Sequence, residues 1–175
     1  MTRAFIGVGS NIAPEDNIRE ALRRLGQSSR LRSISTFYRE PAIGRPDEPD
    51  FYNGVVAIDT DAPPEMLKWQ VLRPIEAALG RQRGADRYAS RTIDLDLILY
   101  GDSVLSGSEL TLPDPDILTR PFIAIPLYEI APDLVLPGLL APIRQVAEQF
   151  VTGTMQPMNE YTRRLRNELL AVKGE

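Results

Sequence analysis

The stretch RTIDLDLILYG, Arg91 to Gly101, is built almost wholly from strand-forming apolar residues yet carries two aspartates one residue apart. In an extended chain alternate side chains share a face, so Ile93, Leu95, Leu97 and Leu99 point one way and Thr92, Asp94, Asp96, Ile98 and Tyr100 the other. The first face is core. The second holds two carboxylates near the strand's start, about 6–7 Å apart by Cα rise. They are either solvated on the open face of an antiparallel sheet or hold a divalent cation. Hard oxygen donors in small number suit Mg²⁺, bound jointly with substrate phosphates.

Immediately upstream, Arg81, Arg83, Arg87 and Arg91 fall in one short connection, RQRGADRYASR. A solvated surface network is the bland account of such a loop. Beside two acids, the other account is a polyanion with its metal ions, which neutralises both signs and points to phosphoryl transfer. The grip is not a P-loop: GVGSN at Gly7 to Asn11 lacks the following Gly-Lys-Ser/Thr, and it is not a full dinucleotide fingerprint either. Downstream of a second strand, REPAIGRPDEPDFYN carries Pro41, Pro46 and Pro49 and reads as a loop. It ends in Phe51, Tyr52 and Asn53, flat aromatic surface beside an amide that both donates and accepts, which suits a planar heterocycle.

Around these segments the pattern runs strand (RAFIGVGS), helix (PEDNIREALRRLG), strand (LRSISTFY), strand (GVVAIDT), helix (PPEMLKWQVLRPIEAALG) and strand (RTIDLDLILYG). Ile18, Leu22 and Leu25 line one helix, and Leu67, Val71, Ile75 and Leu79 the other, which Pro74 should kink. The order predicts an α+β class, a ferredoxin-like βαββαβ sheet with helices on one face, leaving the other face for a site. A C-terminal helical extension follows, with a further helix at PFIAIPLYEIA. Residues 1–153 are expected to form the domain and 154–175 a helical extension whose stripe, Tyr161, Leu165, Leu169 and Val172, docks on it or projects.

Composition removes several chemistries. With no cysteine and no histidine, thiolate catalysis, disulfides, Ser-His-Asp triads and His-ligated zinc are excluded. A net charge of −4 gives no global basic field for nucleic acid. All but Lys68 and Lys173 of the 20 basic residues are arginine, the residue that grips phosphate bidentately. MTRAFIGVGSN lacks the apolar core of a signal peptide, and no run is long enough to span a bilayer. A cytoplasmic location is expected.

Taken in order, FIGVGSN, PAIGRPDEPDFYN, IEAALGRQR, RTIDLDLILYG, LPDPDILTRPF and PLYEIAPDLVLP resemble the 6-hydroxymethyl-7,8-dihydropterin pyrophosphokinase family of folate biosynthesis, over roughly Ala4 to Pro137. The resemblance implies transfer of pyrophosphate from ATP to the pterin hydroxymethyl group, with release of AMP. It implies two Mg²⁺ ions on Asp94 and Asp96, and Arg81, Arg83, Arg91 and Arg120 around the triphosphate. Glu76 and Asp114 would lie on the nucleotide side, and Phe51 and Phe122 would sandwich the pterin. Asn53 and the backbone at Ile43 would read its edge, with Tyr88 in the closing loop. Four positions depart from the family pattern: Asp114 stands for a histidine, Tyr88 for another aromatic, Ala89-Ser90 for Gly-Pro, and Glu40 for a small hydroxyl residue. A paralogue acting on a different pterin, and a non-catalytic nucleotide- or pterin-binding module, are the alternatives. The partners expected are ATP and a pterin, with no nucleic acid and no membrane; a monomer is expected, and a dimer is also compatible.

Overall fold

A computed structural model describes residues 1–86, 89–151, 153 and 155–170. The chain runs β1 (Thr2–Ser10), α1 (Pro14–Ser28), β2 (Arg30–Ile34), β3 (Tyr38–Glu40) and β4 (Phe51–Thr60). A helical run follows, made of α2 (Pro64–Met66), a π-helical turn (Leu67–Leu72) and α3 (Arg73–Ala78), and leads through the arginine-rich connection to β5 (Asp94–Tyr100). Beyond it lie a hairpin of β6 (Leu105–Ser106) and β7 (Thr111–Leu112), a 3₁₀ turn (Pro115–Leu118) and α4 (Pro121–Ile130). Then come a second hairpin, β8 (Val135–Leu136) and β9 (Ala141–Pro142), α5 (Ile143–Glu148), β10 (Gln156–Pro157) and α6 (Asn159–Leu169).

The main sheet is antiparallel throughout: β1 pairs with β4 and β5, while β2 and β3 pair with successive stretches of β4. The single second strand expected from LRSISTFY is therefore two. The chain leaves the sheet between them because the Phe37 ring crosses over Gly54, where a Cβ would come within 2.9 Å of three ring atoms. Phe37 is fully buried, and its ring meets that of Tyr161 edge-on at 6.1 Å.

One sheet face carries Ala4, Ile6, Val8, Val56, Ile58, Leu95 and Leu97 and packs on α1, α3 and α6. Leu25 and Leu22 of α1, with Tyr161 and Leu165 of α6, belong to the same buried cluster. The C-terminal helix is thus docked into the core. Its Tyr161 hydroxyl donates to the Glu15 carbonyl at 2.9 Å, and Arg166 donates to the Ile34 carbonyl at 2.8 Å. Leu169 packs against this cluster; Val172 lies outside the described residues.

The expectation of helices on one face only needs correction. Phe5, Val55, Ala57, Ile98 and Leu99 form a second buried cluster with Ile117, Leu127 and Ile143, so α4 and α5 cover half of the other face. Strict alternation along β5 also fails. The pairing with β1 jumps from Ile6↔Leu97 to Phe5↔Leu99, which leaves Ile98 as the extra residue of a β-bulge. Leu99 consequently joins Ile98 in the second cluster, and Tyr100 packs with the first. Pro74 does not break its helix. It stands in the first turn of α3, directly after the π turn in which the Arg73 amide reaches back to the Lys68 carbonyl, so the irregularity sits where a proline is tolerated. Among the described residues no helix is long and apolar enough to cross a membrane.

Candidate active site

The half of the second face that α4 and α5 leave open is the site. Antiparallel pairing places Asp96 opposite Gly7, Asp94 opposite Gly9, Asn53 opposite Gly9 on the other side, and Glu40 opposite Phe51. Directly paired residues share a face, so β5, β1, β4 and β3 together present three carboxylates, two glycines, an aromatic ring and an amide on one floor. The glycines keep it open. A Cβ on Gly9 would lie 2.7 Å from Asn53 Oδ1, and one on Gly7 would meet Ile98 and Asp96 within 4 Å.

Three clefts converge on Asp96. One of about 180 Å³ lies between the proline loop and α4 and is lined by Gly9, Glu40, Ile43, Phe51, Asn53 and Phe122, with Arg120 and Asp116 at its rim. A second, of about 340 Å³, runs under the arginine loop past Arg81, Arg83, Arg91, Asp94 and Asp116. A third, of about 230 Å³, lies between the π turn and the β6–β7 hairpin, against Lys68, Arg73, Thr111 and Asp114. A flat apolar slot, a cationic trough and a mixed-charge cleft thus share one acidic junction.

The charges at that junction are arranged unequally. Asp94 accepts from Arg81 at 2.8 Å on one oxygen and from Arg91 at 2.9 Å on the other, and the Arg91 guanidinium lies 5.9 Å from the centre of the Phe51 ring. Asp96 has no ion-pair partner among the described residues. Its side chain is exposed to the clefts, and desolvation by the protein around it, followed by repulsion from Asp94, pushes its pKa up to about 7. A carboxylate with a raised pKa and a free face is poised for a cation. No third acid, histidine or cysteine completes an all-protein metal cage among the described residues. That donor set fits Mg²⁺, which is commonly held by one or two carboxylates while phosphate and water complete its octahedron.

Glu76 is almost fully buried and lines none of the three clefts. It accepts from Arg73 at 2.8 Å, from Arg83 at 2.7 Å and from the Leu95 amide at 2.9 Å, tying α3 and one trough arginine to β5. Asp114 lines the third cleft and caps the 3₁₀ turn, accepting from the Asp116 amide at 2.9 Å. Burial, opposed in part by that hydrogen bond, raises its pKa. Asp114 thus anchors the 3₁₀ turn, and Lys68 lines the same cleft. Arg120 makes no ion pair among the described residues. Tyr88 and Arg87 lie outside the described residues.

The sequence reading missed Asn11. It is buried, its amide nitrogen donates to Pro49 at 3.2 Å and to Ser90 at 3.1 Å, and its Oδ1 accepts from the Arg91 amide at 2.8 Å. One asparagine after β1 thereby fastens the proline loop and the arginine loop. The loops also hold each other: Arg45 pairs with Asp86 at 2.5 Å, and Ser90 donates to Glu48. Ser90 makes two side-chain bonds, accepting from Asn11 and donating to Glu48. The trailing asparagine of GVGSN was the available signal, an amide directly after a glycine-rich strand end.

Comparison with known proteins gives this architecture its relatives. The family model for 7,8-dihydro-6-hydroxymethylpterin-pyrophosphokinase (HPPK) matches residues 5–132. The 2-amino-4-hydroxy-6-hydroxymethyldihydropteridine pyrophosphokinase of Haemophilus influenzae is 37% identical over 162 residues, 91% of this chain and 99% of the relative. The enzyme of the same name from Synechocystis is 42% identical over 159 residues, 89% of this chain and 80% of the relative. Among solved structures, Plasmodium falciparum HPPK-DHPS with pterin and p-hydroxybenzoate superposes with a TM-score of 0.67 at 14% identity, over 87% of this chain. A triple mutant of that protein with pteroate gives 0.66 at 12% identity, over 95%. The chain spans under half the length of those two solved proteins, 43% and 46%, and at such identity they speak for the fold alone. With the family model covering most of the chain and two relatives matched over nearly its whole length, the chain belongs to the 7,8-dihydro-6-hydroxymethylpterin-pyrophosphokinase family.

Proposed function

We propose that this chain transfers pyrophosphate from ATP to the hydroxymethyl group of 6-hydroxymethyl-7,8-dihydropterin, releasing AMP, in the cytoplasm. The observation that carries the reading is the meeting of an aromatic-lined slot and an arginine trough at one pair of aspartates. The strand path β2–β4–β1–β5, with α1 and the α2–α3 run crossing the first face, is a ferredoxin-like arrangement extended by α4 to α6.

In this reading the pterin lies in the slot, its rings against Phe51 and Phe122 and its edge toward Asn53 and the Ile43 backbone. The triphosphate follows the trough past Arg81, Arg83 and Arg91, with Arg120 closing from α4 and the nucleoside toward Lys68 and Asp114. Asp94 and Asp96 would hold two Mg²⁺ ions, which would offset the phosphate charge and polarise its oxygens. The chain's own task is positioning. The slot and the trough share Asp94 and Asp96, which would bring the hydroxymethyl group and the triphosphate together, and the fastened loops would exclude water that hydrolyses ATP. Arg81 and Arg91, which pair with Asp94 in the ligand-free chain, line the same trough and would be within reach of phosphate oxygens there.

The test is AMP formation from ATP, Mg²⁺ and 6-hydroxymethyl-7,8-dihydropterin. AMP equimolar with pyrophosphorylated pterin is expected, and Asp94→Ala should remove it. No AMP above the Asp94→Ala background would sink the assignment. A second expectation follows from the floor. Gly9→Ala drives a methyl to 2.7 Å from Asn53 Oδ1, which displaces the amide at a cost of about 1–3 kcal/mol, roughly tenfold to a hundredfold in pterin Kd. MgATP affinity should stay unchanged, so equal losses for both ligands in calorimetry would contradict the assignment of slot and trough.

A further inference from the structure

Glu40 is an unusual residue to find in an apolar slot, and its bonding is incomplete. It ends β3 opposite Phe51, so its side chain rises on the same floor as Phe51 and, diagonally, Asn53. One oxygen, Oε1, accepts from Asn53 Nδ2 at 2.9 Å. The other, Oε2, has no partner among the described residues. Because a carboxylate can only accept, that contact also fixes how the amide is turned: Nδ2 faces Glu40, and Oδ1 faces Gly9, with no donor of its own among the described residues. The slot wall therefore carries two side-chain acceptors without donors, one anionic, and both are half-buried. Burial raises the Glu40 pKa and the Asn53 hydrogen bond only partly offsets it, so the carboxylate has not found the partner that its position calls for.

Two adjacent acceptors call for a ligand edge with adjacent donors. The pyrimidine ring of a 2-amino-4-oxo pterin has such an edge, the 2-amino group beside N3–H, and the remaining Glu40 oxygen and Asn53 Oδ1 are the acceptors available to it. We propose that Glu40 is a specificity-determining residue, which reads the 2-amino and N3–H edge of the pterin through Oε2 and holds Asn53 in the matching orientation. This rests on the pterin reading of the slot and deepens it. A 2,4-dioxo heterocycle of the same size would turn a carbonyl toward the carboxylate and be rejected. A hydroxyl residue at this position both donates and accepts, and would discriminate less.

The test compares 6-hydroxymethylpterin with 6-hydroxymethyl-lumazine, which carries oxygen in place of the 2-amino group. Binding to the full chain is measured by calorimetry with Mg²⁺ and a non-hydrolysable ATP analogue. Wild type should prefer the 2-amino ligand by on the order of 10²-fold, because a buried acceptor facing a carbonyl is left unpaired. Glu40→Gln keeps the Asn53 contact through its carbonyl and turns an NH₂ toward the ligand. Its preference should fall to a few-fold or invert, mainly through weaker binding of the 2-amino ligand, with MgATP affinity unchanged. Glu40→Thr is the second variant and should lose the preference without favouring lumazine. If both variants keep the wild-type preference while melting like wild type, the role assigned to Glu40 is overturned and the pterin slot stands. If wild type binds neither heterocycle, the slot assignment itself fails and takes this inference with it.

Discussion

Asp96→Asn is expected to lower kcat/KM for pyrophosphoryl transfer by on the order of 10³-fold or more and, in the ligand-free protein above neutral pH, to raise the melting temperature. The first effect follows from removing a carboxylate that has no arginine partner among the described residues and on which all three clefts converge. The second follows from the cause of its raised pKa. Burial and the neighbouring Asp94 make the folded protein a worse home for this charge than water, moving the pKa from 3.8 to about 7. The folded state therefore binds this proton more tightly than the unfolded one. Its contribution to stability is fully present below 3.8 and is lost as pH rises to about 7. Between those limits the melting temperature of wild type should fall relative to that of Asp96→Asn, and above pH 7 the gap should stay constant. Solvent in the cleft screens part of the penalty, so a gap of a few degrees is expected. Saturating MgATP should close or reverse it, because the cation stabilises the charge that the empty protein carries at a loss. Melting curves from pH 4 to pH 9 with chelator, and again with MgATP, read all of this. A variant that melts below wild type at pH 8 in chelator would show that Asp96 is a structural anchor.

Part of this site could be read from the residues in order. Period-2 alternation placed Asp94 and Asp96 on one face because a strand has only two faces, and the arginines are close in sequence as well as in space. Pairing across the sheet was not legible: Gly7 and Gly9 gain their meaning only when Asp96 and Asp94 lie opposite them. The bulge at Ile98 was hidden for the same reason, since an extra residue is defined by the partner strand and by nothing in its own. Covering of the second face by α4 and α5 could have been inferred, because Phe5, Val55 and Ala57 alternate with the residues of the first core and also need burial. Contacts between loops far apart in sequence, such as Asn11 to Ser90 and Arg45 to Asp86, carry no local signal. Glu76 was placed near the nucleotide by resemblance; it lines none of the three clefts, and its three hydrogen bonds tie α3 and Arg83 to β5.

Glu76→Ala is expected to destabilise the protein by about 3–5 kcal/mol, the range for breaking a buried ion pair from one side, or roughly 10 °C in melting temperature for a chain of this size. The acid is 1% exposed, and its removal takes the acceptor from one buried donor and the closer acceptor from a second, half-buried one. One is the Leu95 amide, at the point where β5 enters the core between the two aspartates. The other is Arg73, whose side chain is only 19% exposed and keeps just a 3.3 Å contact to the Leu95 carbonyl. Arg83, the third partner, is half exposed and can be hydrated. Arg83→Ala should therefore cost less stability than Glu76→Ala, although it unpairs one Glu76 oxygen, and should raise the KM for MgATP because it removes a trough cation. Glu76→Gln should fall between: its carbonyl still satisfies Leu95, but its amide turns a donor toward an arginine. A leucine of similar volume should not rescue stability, since it fills the space and leaves the Leu95 amide unbonded. The two arms separate the roles. If Glu76→Ala melts like wild type while Arg83→Ala does not, the anchor is the arginine, and the carboxylate belongs to the ligand side of the trough after all.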